Sequence, residues 1–240
     1  MDLNTTNSGS VSKSDSEHIR FRPPRVAWRN WLWMILHIIL YPIFRIWVRT
    51  TALHQDRLNP DRGGILLINH QSYLDPILVA VRIARPVAYL ARDSLFRITG
   101  LRFILRHCFA VPISRTAFRG SSVHSAVERL EQGFLIALFP EGTRSAGAPQ
   151  EFRPGFLTVA RRTNAPIYPV AVVGSDAALP KGACFPRPRT VAVVYGNALT
   201  DEEMQQLNQL DSKAATLLME AKVKELYLEG LASLSATGTA

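Results

Sequence analysis

From residue 63 onward, short apolar runs alternate with stretches whose apolar positions recur at helical spacing. The runs predict strands at 65–68, 87–90, 109–113, 134–139, 167–173 and 191–195. Helices are predicted at 76–83, 94–105, 122–132 and 156–162. In the third, Val123, Val127 and Leu130 share a face, and Ser121 and Ser122 suit its cap. Such alternation points to an α/β fold, a mostly parallel sheet flanked by helices. Thr200-Asp201-Glu202-Glu203 is a capping-box pattern that opens a last helix running to about Gly230. The stretch LPKGACFPRPR, residues 179–189, is a Pro-rich basic loop in which Arg187 and Arg189 read equally as headgroup contacts or as plain exposed residues.

The N-terminal pattern differs. Residues 1–19 are polar, with almost nothing to bury, and form an expected disordered tail. Residues 20–50 hold the apolar run WLWMILHIILYPIF, 14 residues long, between Arg20, Arg22, Arg25 and Arg29 on one side and Arg45 and Arg49 on the other. Membrane-spanning helices need about 20 apolar residues, so the run is short for that task. It also starts late for a signal peptide, and no small-residue cleavage site follows. All four tryptophans, Trp28, Trp31, Trp33 and Trp47, lie in this segment. Tryptophan favours the headgroup level, and arginine meets anionic phosphates there, so a pair of interfacial helices is expected, with a buried amphipathic core helix or a signal anchor as the alternatives. A globular domain over 51–231 and a flexible tail over 232–240 complete the division.

Composition adds less. The chain has 240 residues, 47% of them hydrophobic, enough for the core of one domain. Cys108 and Cys184 lie far apart in sequence, with no zinc-like spacing, and imply a reducing compartment. A formal charge of +9 favours polyanionic partners: nucleic acid, anionic lipid or phosphorylated substrates. Nucleic acid ranks last, because the globular part does not interleave aromatic and basic residues.

Two motifs carry chemistry. NHQSYLD, residues 69–75, follows a predicted strand at the sheet edge where α/β folds place ligands. The turn lets the Asp75 carboxylate reach Nδ1 of His70, leaving Nε2 to accept a proton. Asp75 also precedes Pro76, which suits a first helical turn, so it reads equally as an N-cap. FPEGTRS, residues 139–145, follows another strand. There Gly142 allows close approach of a ligand, Thr143 and Ser145 offer donors, and Arg144 presents a planar fork to phosphate. Glu141 is suited to orienting Arg144 or a substrate hydroxyl. No metal-binding cluster is evident, and His18, His37, His54, His107 and His124 have no motif neighbours.

Taken together, His70-x4-Asp75 and the FPEGTR block resemble the glycerolipid acyltransferase family, the membrane-associated enzymes related to 1-acylglycerol-3-phosphate acyltransferase. AVPISR, residues 110–115, resembles the family block that ends in a substrate-binding arginine, here Arg115. APIYPVAV, residues 165–172, resembles its final apolar block, centred on Pro169. In EFRPGF, residues 151–156, Arg153 stands where family members often have lysine. The resemblance makes 51–231 an acyltransferase domain. It implies His70 and Asp75 as catalytic residues, Arg115, Glu141, Gly142, Thr143 and Arg144 as phosphate-binding residues, and Arg153 and Pro169 as substrate or membrane contacts. In such enzymes a histidine deprotonates a glycerol hydroxyl that attacks the thioester of acyl-CoA or acyl carrier protein. No cofactor is implied, and no enzyme nucleophile, in keeping with the lack of a G-x-S-x-G elbow.

The expected acceptor is 1-acylglycerol-3-phosphate, at its sn-2 hydroxyl, with phosphatidic acid as product. The alternatives are another lysolipid, such as a lyso-ornithine lipid or lysophosphatidylcholine, or a non-catalytic protein that binds anionic lipid. Expected partners are the lysophospholipid, the acyl donor (acyl carrier protein among them) and an anionic membrane surface. The donors are cytoplasmic, so an interfacial anchor on the cytoplasmic face suits the chemistry. One spanning helix with Arg20–Arg29 inside would place the catalytic domain outside.

Overall fold

The computed structural model describes residues 31–59, 62–83, 85–113 and 121–236. The disordered-tail expectation for 1–19, the first part of the interfacial segment and Arg115 lie outside them. Seven strands form one sheet in the order β1-β7-β6-β2-β5-β3-β4. These are β1 Thr50–Leu53, β2 Gly64–Ile68, β3 Val87–Arg92, β4 Val111–Ile113, β5 Leu135–Leu138, β6 Ile167–Val173 and β7 Val191–Tyr195. Every pairing is parallel except β6 with β7.

Helices cover both faces, which is why β2, β5 and β6 read as unbroken apolar runs. On one face Ile65, Leu67 and Ile136 pack against α4 (Ser121–Glu131), α5 (Gly155–Thr163) and α8 (Ser212–Ala236). On the other, Leu66, Ile68 and Val170 pack with Phe44 of α1 (Trp31–Ile46) and with Leu78 and Val79 of α2 (Asp75–Val81). Ile65, Leu66, Leu67 and Ile68 are all 0% exposed, and each contributes about 1.5–3 kcal/mol by leaving water.

Only one N-terminal helix, α1, lies within the described residues, and it carries Pro42 in its last turns. No helix among the described residues is long and apolar enough to cross a membrane. The strand β1 was not expected: four residues, two of them threonine, at the sheet edge give almost no pattern. The region expected as one helix at 94–105 divides into a 3₁₀ turn, Asp93–Arg97, and α3, Thr99–His107. A short α6 covers Ser175–Ala178.

The C-terminal expectation needs two corrections. The capping box forms as read, the Thr200 Oγ1 accepting from the Glu203 N–H and the Glu203 carboxylate from the Thr200 N–H. However, this helix, α7 (Asp201–Gln209), stops there because Leu210 is extended and Asp211 starts a new helix by accepting the N–H groups of Lys213 and Ala214 at 2.8 Å each. Then α8 continues to Ala236 instead of stopping near Gly230, so most of the expected 232–240 tail is helical up to that point. Gly230 is not a cap. A Cβ there would lie 2.7 Å from Val173 Cγ2 and 3.1 Å from Val194 Cγ2, so its absence lets α8 settle on β6 and β7.

Candidate active site

The central strand β2 lies between β5 and β6, and the loops after all three carry polar residues to one end of the sheet. This is the position where the strand order turns back, the usual place for ligands in open parallel sheets. Asn69, the first residue past β2, is fully buried, and its side chain imitates a peptide. Its Oδ1 accepts from the Val172 N–H at 2.7 Å, and its Nδ2 donates to the Val172 carbonyl at 2.9 Å. That pair stitches the loop to β6 and fixes where His70 emerges.

The chain then wraps around the Asp75 carboxylate. Oδ2 accepts from His70 Nδ1 at 2.8 Å and from the N–H groups of Gln71 and Ser72 at 2.7 and 2.8 Å. Oδ1 accepts from the hydroxyl of Ser175, at the start of α6. Asp75 does not cap a helix, as the sequence allowed. It is the first residue of α2 and its oxygens point back to the loop, while Leu74 takes the N-cap position without a side-chain bond. The carboxylate is 0% exposed, yet four donors satisfy it. With Nδ1 donating to a carboxylate, Nε2 is the ring's acceptor.

Gln71 ties the remaining pieces together. Its Oε1 accepts from the Ser175 N–H, and its Nε2 donates to the Gly147 carbonyl at 2.6 Å. Residues Asn69, Gln71 and Ser175 were not singled out in the sequence. Ser175 is 100 residues from Asp75, and only the adjacency of β2 and β6 brings it near.

The loop after β5 braces the histidine from the other side. Glu141, expected among the phosphate-binding residues, faces inward at 3% exposure. One carboxylate oxygen accepts from the His70 N–H at 3.0 Å and the other from the Ser145 hydroxyl at 2.7 Å. Both oxygens are therefore engaged by donors of the protein. Burial pushes its carboxyl above the usual range, although the bonds from Ser145, His70 and Gln150 and the His70 charge pull the other way. The Ser145 N–H donates to the His70 carbonyl at 2.9 Å, and Phe139 packs its ring 4.4 Å from the imidazole.

Toward solvent, Gly142 adopts φ +68°, a conformation open to glycine, and a Cβ there would stand 3.2 Å from Arg153 Nε. Arg153 is exposed and lies over this turn, and Thr143 is exposed beside it. The Arg144 guanidinium carbon stacks 3.4 Å from the centre of the Tyr73 ring. Thus Gly142, Thr143, Arg144 and Arg153 gather on the solvent side of the same loop. Pro169 is elsewhere. It is buried in β6 beside Leu67, and its carbonyl accepts from the Gly196 N–H at 2.8 Å, so it has no open face toward substrate or membrane.

His70 and Phe139 also line an apolar cavity of about 520 Å³ between α1, α2, α3 and β3. Trp33, Leu36 and Leu40 of α1 wall one side, and Leu101 and Leu105 of α3 another. Cys108 lines it too, its thiol pushed up by burial. Tyr73 is on the rim, so one residue touches both the cavity and the guanidinium of Arg144. A proton acceptor, an apolar chamber and a half-buried cation at one sheet end suit a substrate with a hydroxyl, a long apolar chain and an anionic group. Among the described residues no group of three His, Cys, Asp or Glu could hold a metal ion.

Comparison with known proteins bears on the family and the fold. The family model described as Acyltransferase matches residues 49–173, just over half of the chain. The 1-acyl-sn-glycerol-3-phosphate acyltransferase of Bacillus subtilis (strain 168) is 25% identical over 175 residues, 72% of this chain and 85% of that protein. The chloroplastic 1-acyl-sn-glycerol-3-phosphate acyltransferase LPAT1 of Arabidopsis thaliana is 26% identical over 149 residues, 61% of this chain but only 41% of the longer plant protein. The fold is that of the crystal structure of the 1-acyl-sn-glycerophosphate (LPA) acyltransferase PlsC from Thermotoga maritima, with a TM-score of 0.64 at 24% identity, covering 81% of this chain and 79% of that one. With the family model spanning the strands that build this site, the chain belongs to the acyltransferase family.

Proposed function

We propose that this protein moves a fatty acyl group from acyl-CoA or acyl carrier protein to the free sn-2 hydroxyl of 1-acylglycerol-3-phosphate, giving phosphatidic acid. The observation that carries this reading is the 2.8 Å contact between His70 Nδ1 and a buried, fully satisfied Asp75 carboxylate beside the apolar cavity. Nε2 takes the hydroxyl proton as the oxygen attacks the thioester carbonyl. The C–S bond then breaks, and the leaving thiolate takes the proton from the imidazolium. A thioester is activated already, so a base and correct placement suffice. Such a base contributes about 10²–10⁴-fold. Arg144, with Arg115 and Arg153, receives the acceptor's phosphate, and the cavity receives an acyl chain. No cofactor enters the reaction.

Both acceptor and product are lipids, which gives α1 its role. Its outer side exposes Trp31, Ile38 and Ile46 at 61%, 67% and 76%, an apolar row suited to the headgroup boundary of a bilayer. We place the protein there, on the cytoplasmic side where its donors are.

The test is direct. Labelled acyl-CoA and lysophosphatidic acid are supplied, and phosphatidic acid is measured for wild type, His70→Ala and Asp75→Asn. The His70 variant is expected to lose about 10²–10⁴-fold in kcat. Full activity in that variant removes His70 as the base, and absence of product in wild type removes the acceptor assignment.

A further inference from the structure

The loop after α6 has no place in the chemistry above, yet it is unusual. Phe185 is 83% exposed, more than any other large apolar residue among those described. Prolines and backbone hydrogen bonds pin the turn that carries it. Pro180, Pro186 and Pro188 fix φ at three positions around it. The Ala183 N–H donates to the Pro180 carbonyl at 3.0 Å, and the Arg187 N–H donates to the Ala178 carbonyl at 2.7 Å. A phenylalanine left in water forfeits the gain that burial would bring, and a lone one is ordinary, so its neighbours decide whether it marks a contact surface.

Trp47, just past the end of α1 and 51% exposed, donates its indole N–H to the carbonyl of Pro186 at 3.0 Å. The loop tip is therefore continuous with Trp47 and, through it, with Ile46, the exposed last residue of α1. Flanking these two apolar edges in sequence are five exposed cations, Arg45 in the last turn of α1, Arg49 just past it, and Lys181, Arg187 and Arg189 from the loop. No acidic residue falls between Ala177 and Thr200. An apolar tip ringed by cations matches a layer that is anionic at its surface and apolar a few ångströms below.

We infer that the 179–189 loop is a second membrane-docking element, which inserts Phe185 into an anionic phospholipid surface beside the end of α1. This rests on the interfacial reading of α1 and extends it. Two attachments on one face, rather than a single helix, fix the tilt of the domain on the bilayer. A second apolar signal also converts marginal binding into stable anchoring. Docking of an acidic protein on the same cations is the competing occupant. The exposed apolar tip and its continuity with the α1 row favour lipid.

The native thiols provide the probe. Cys184 is exposed next to Phe185, whereas Cys108 is partly buried and its thiol is pushed up, so a maleimide fluorophore at neutral pH labels Cys184. The full chain is mixed with phosphatidylglycerol vesicles, and separately with phosphatidylcholine vesicles. A blue shift on the anionic vesicles, with quenching by spin-labelled lipid, is expected. Phe185→Ser is expected to weaken vesicle partitioning by about tenfold. Arg187→Ala and Arg189→Ala each weaken it by roughly fivefold at low salt. Turnover of a short-chain acceptor below its micelle concentration stays unchanged in Phe185→Ser, because the loop is outside the site. If the protein sediments with vesicles while the probe stays silent and Phe185→Ser binds like wild type, the loop is not a docking element and α1 alone anchors. If nothing sediments, the α1 reading fails along with this one. A probe that responds to acyl carrier protein and not to vesicles overturns the inference in favour of a protein partner.

Discussion

At the scale of single residues, the proposed function gives Arg144 and the Tyr73 ring it stacks on separate effects on acceptor binding, which kinetics can tell apart. Arg144→Ala removes the charge-assisted hydrogen bonds to phosphate, about 1.5–3 kcal/mol, and is expected to raise the apparent KM for lysophosphatidic acid roughly 10–100-fold. Tyr73→Ala only frees the guanidinium, and an exposed stacking of this kind is worth about 0.5–1 kcal/mol, a two- to fivefold rise. An acceptor without phosphate should be insensitive to both changes, and equal losses on the two acceptors would remove Arg144 from the phosphate site. Glu141 gives a prediction with a definite sign. Its folded-state carboxyl is raised by burial, so its contribution to stability is fully present below the ordinary value of 4.5 and is lost as pH climbs through the raised value. Urea midpoints measured from pH 4 to 7 should therefore show wild type losing ground to Glu141→Gln as pH rises. A constant difference across that range would mean that the carboxyl is not perturbed. The motif residues were legible because His70 and Asp75 are local to one loop. Their supports were not: Ser175 reaches Asp75 and Glu141 braces His70 from other strands, and Asn69 is tied to Val172, pairings that sequence spacing does not show.

At the scale of elements, α8 offers a case where two rules oppose each other. Helix propensity says that Gly230→Ala stabilises, by about 1 kcal/mol. The structure says that the new Cβ meets a valine methyl of β6 at 2.7 Å, and overpacking of that kind costs about 1–3 kcal/mol. Packing wins on magnitude, so Gly230→Ala is expected to lower the melting temperature, by about 2–4 °C for each kcal/mol of net loss. A rise would show that α8 can slide on the sheet without strain. This position also explains why the end of the helix was misread: glycine signals a stop in sequence, whereas here it signals close approach. The break at Asp211 is hidden for the converse reason, since a cap inside a long helical pattern is visible only when Leu210 is seen to be extended. The buried strands β2, β5 and β6 were legible because both faces are covered, leaving a continuous apolar run. The edge strand β1 has no such signature.

At the scale of the molecule, α1 faces two ways, and this determines how membrane attachment must be tested. Trp33, Leu36, His37 and Leu40 line the cavity that opens on His70, and Phe44 and Val48 are buried in the core of that side. Removing residues 1–50 would thus strip a cavity wall and core packing together with any anchor, and a loss of binding or of turnover could not be assigned to either. Substituting only the outward row avoids this. Ile38→Ser with Ile46→Ser leaves the cavity wall, Phe44 and Val48 in place. Each isoleucine forfeits some of the ~1.5–3 kcal/mol available from full burial, so the double variant is expected to leave anionic vesicles at least tenfold more readily. Its turnover of a monomeric short-chain acceptor should match wild type. Leu36→Ser with Leu40→Ser should do the reverse, sedimenting with vesicles as wild type does while losing activity on long-chain acyl donors. If both pairs affect binding and turnover alike, the two sides of α1 are not separate in function, and the cavity and the membrane face belong to one surface.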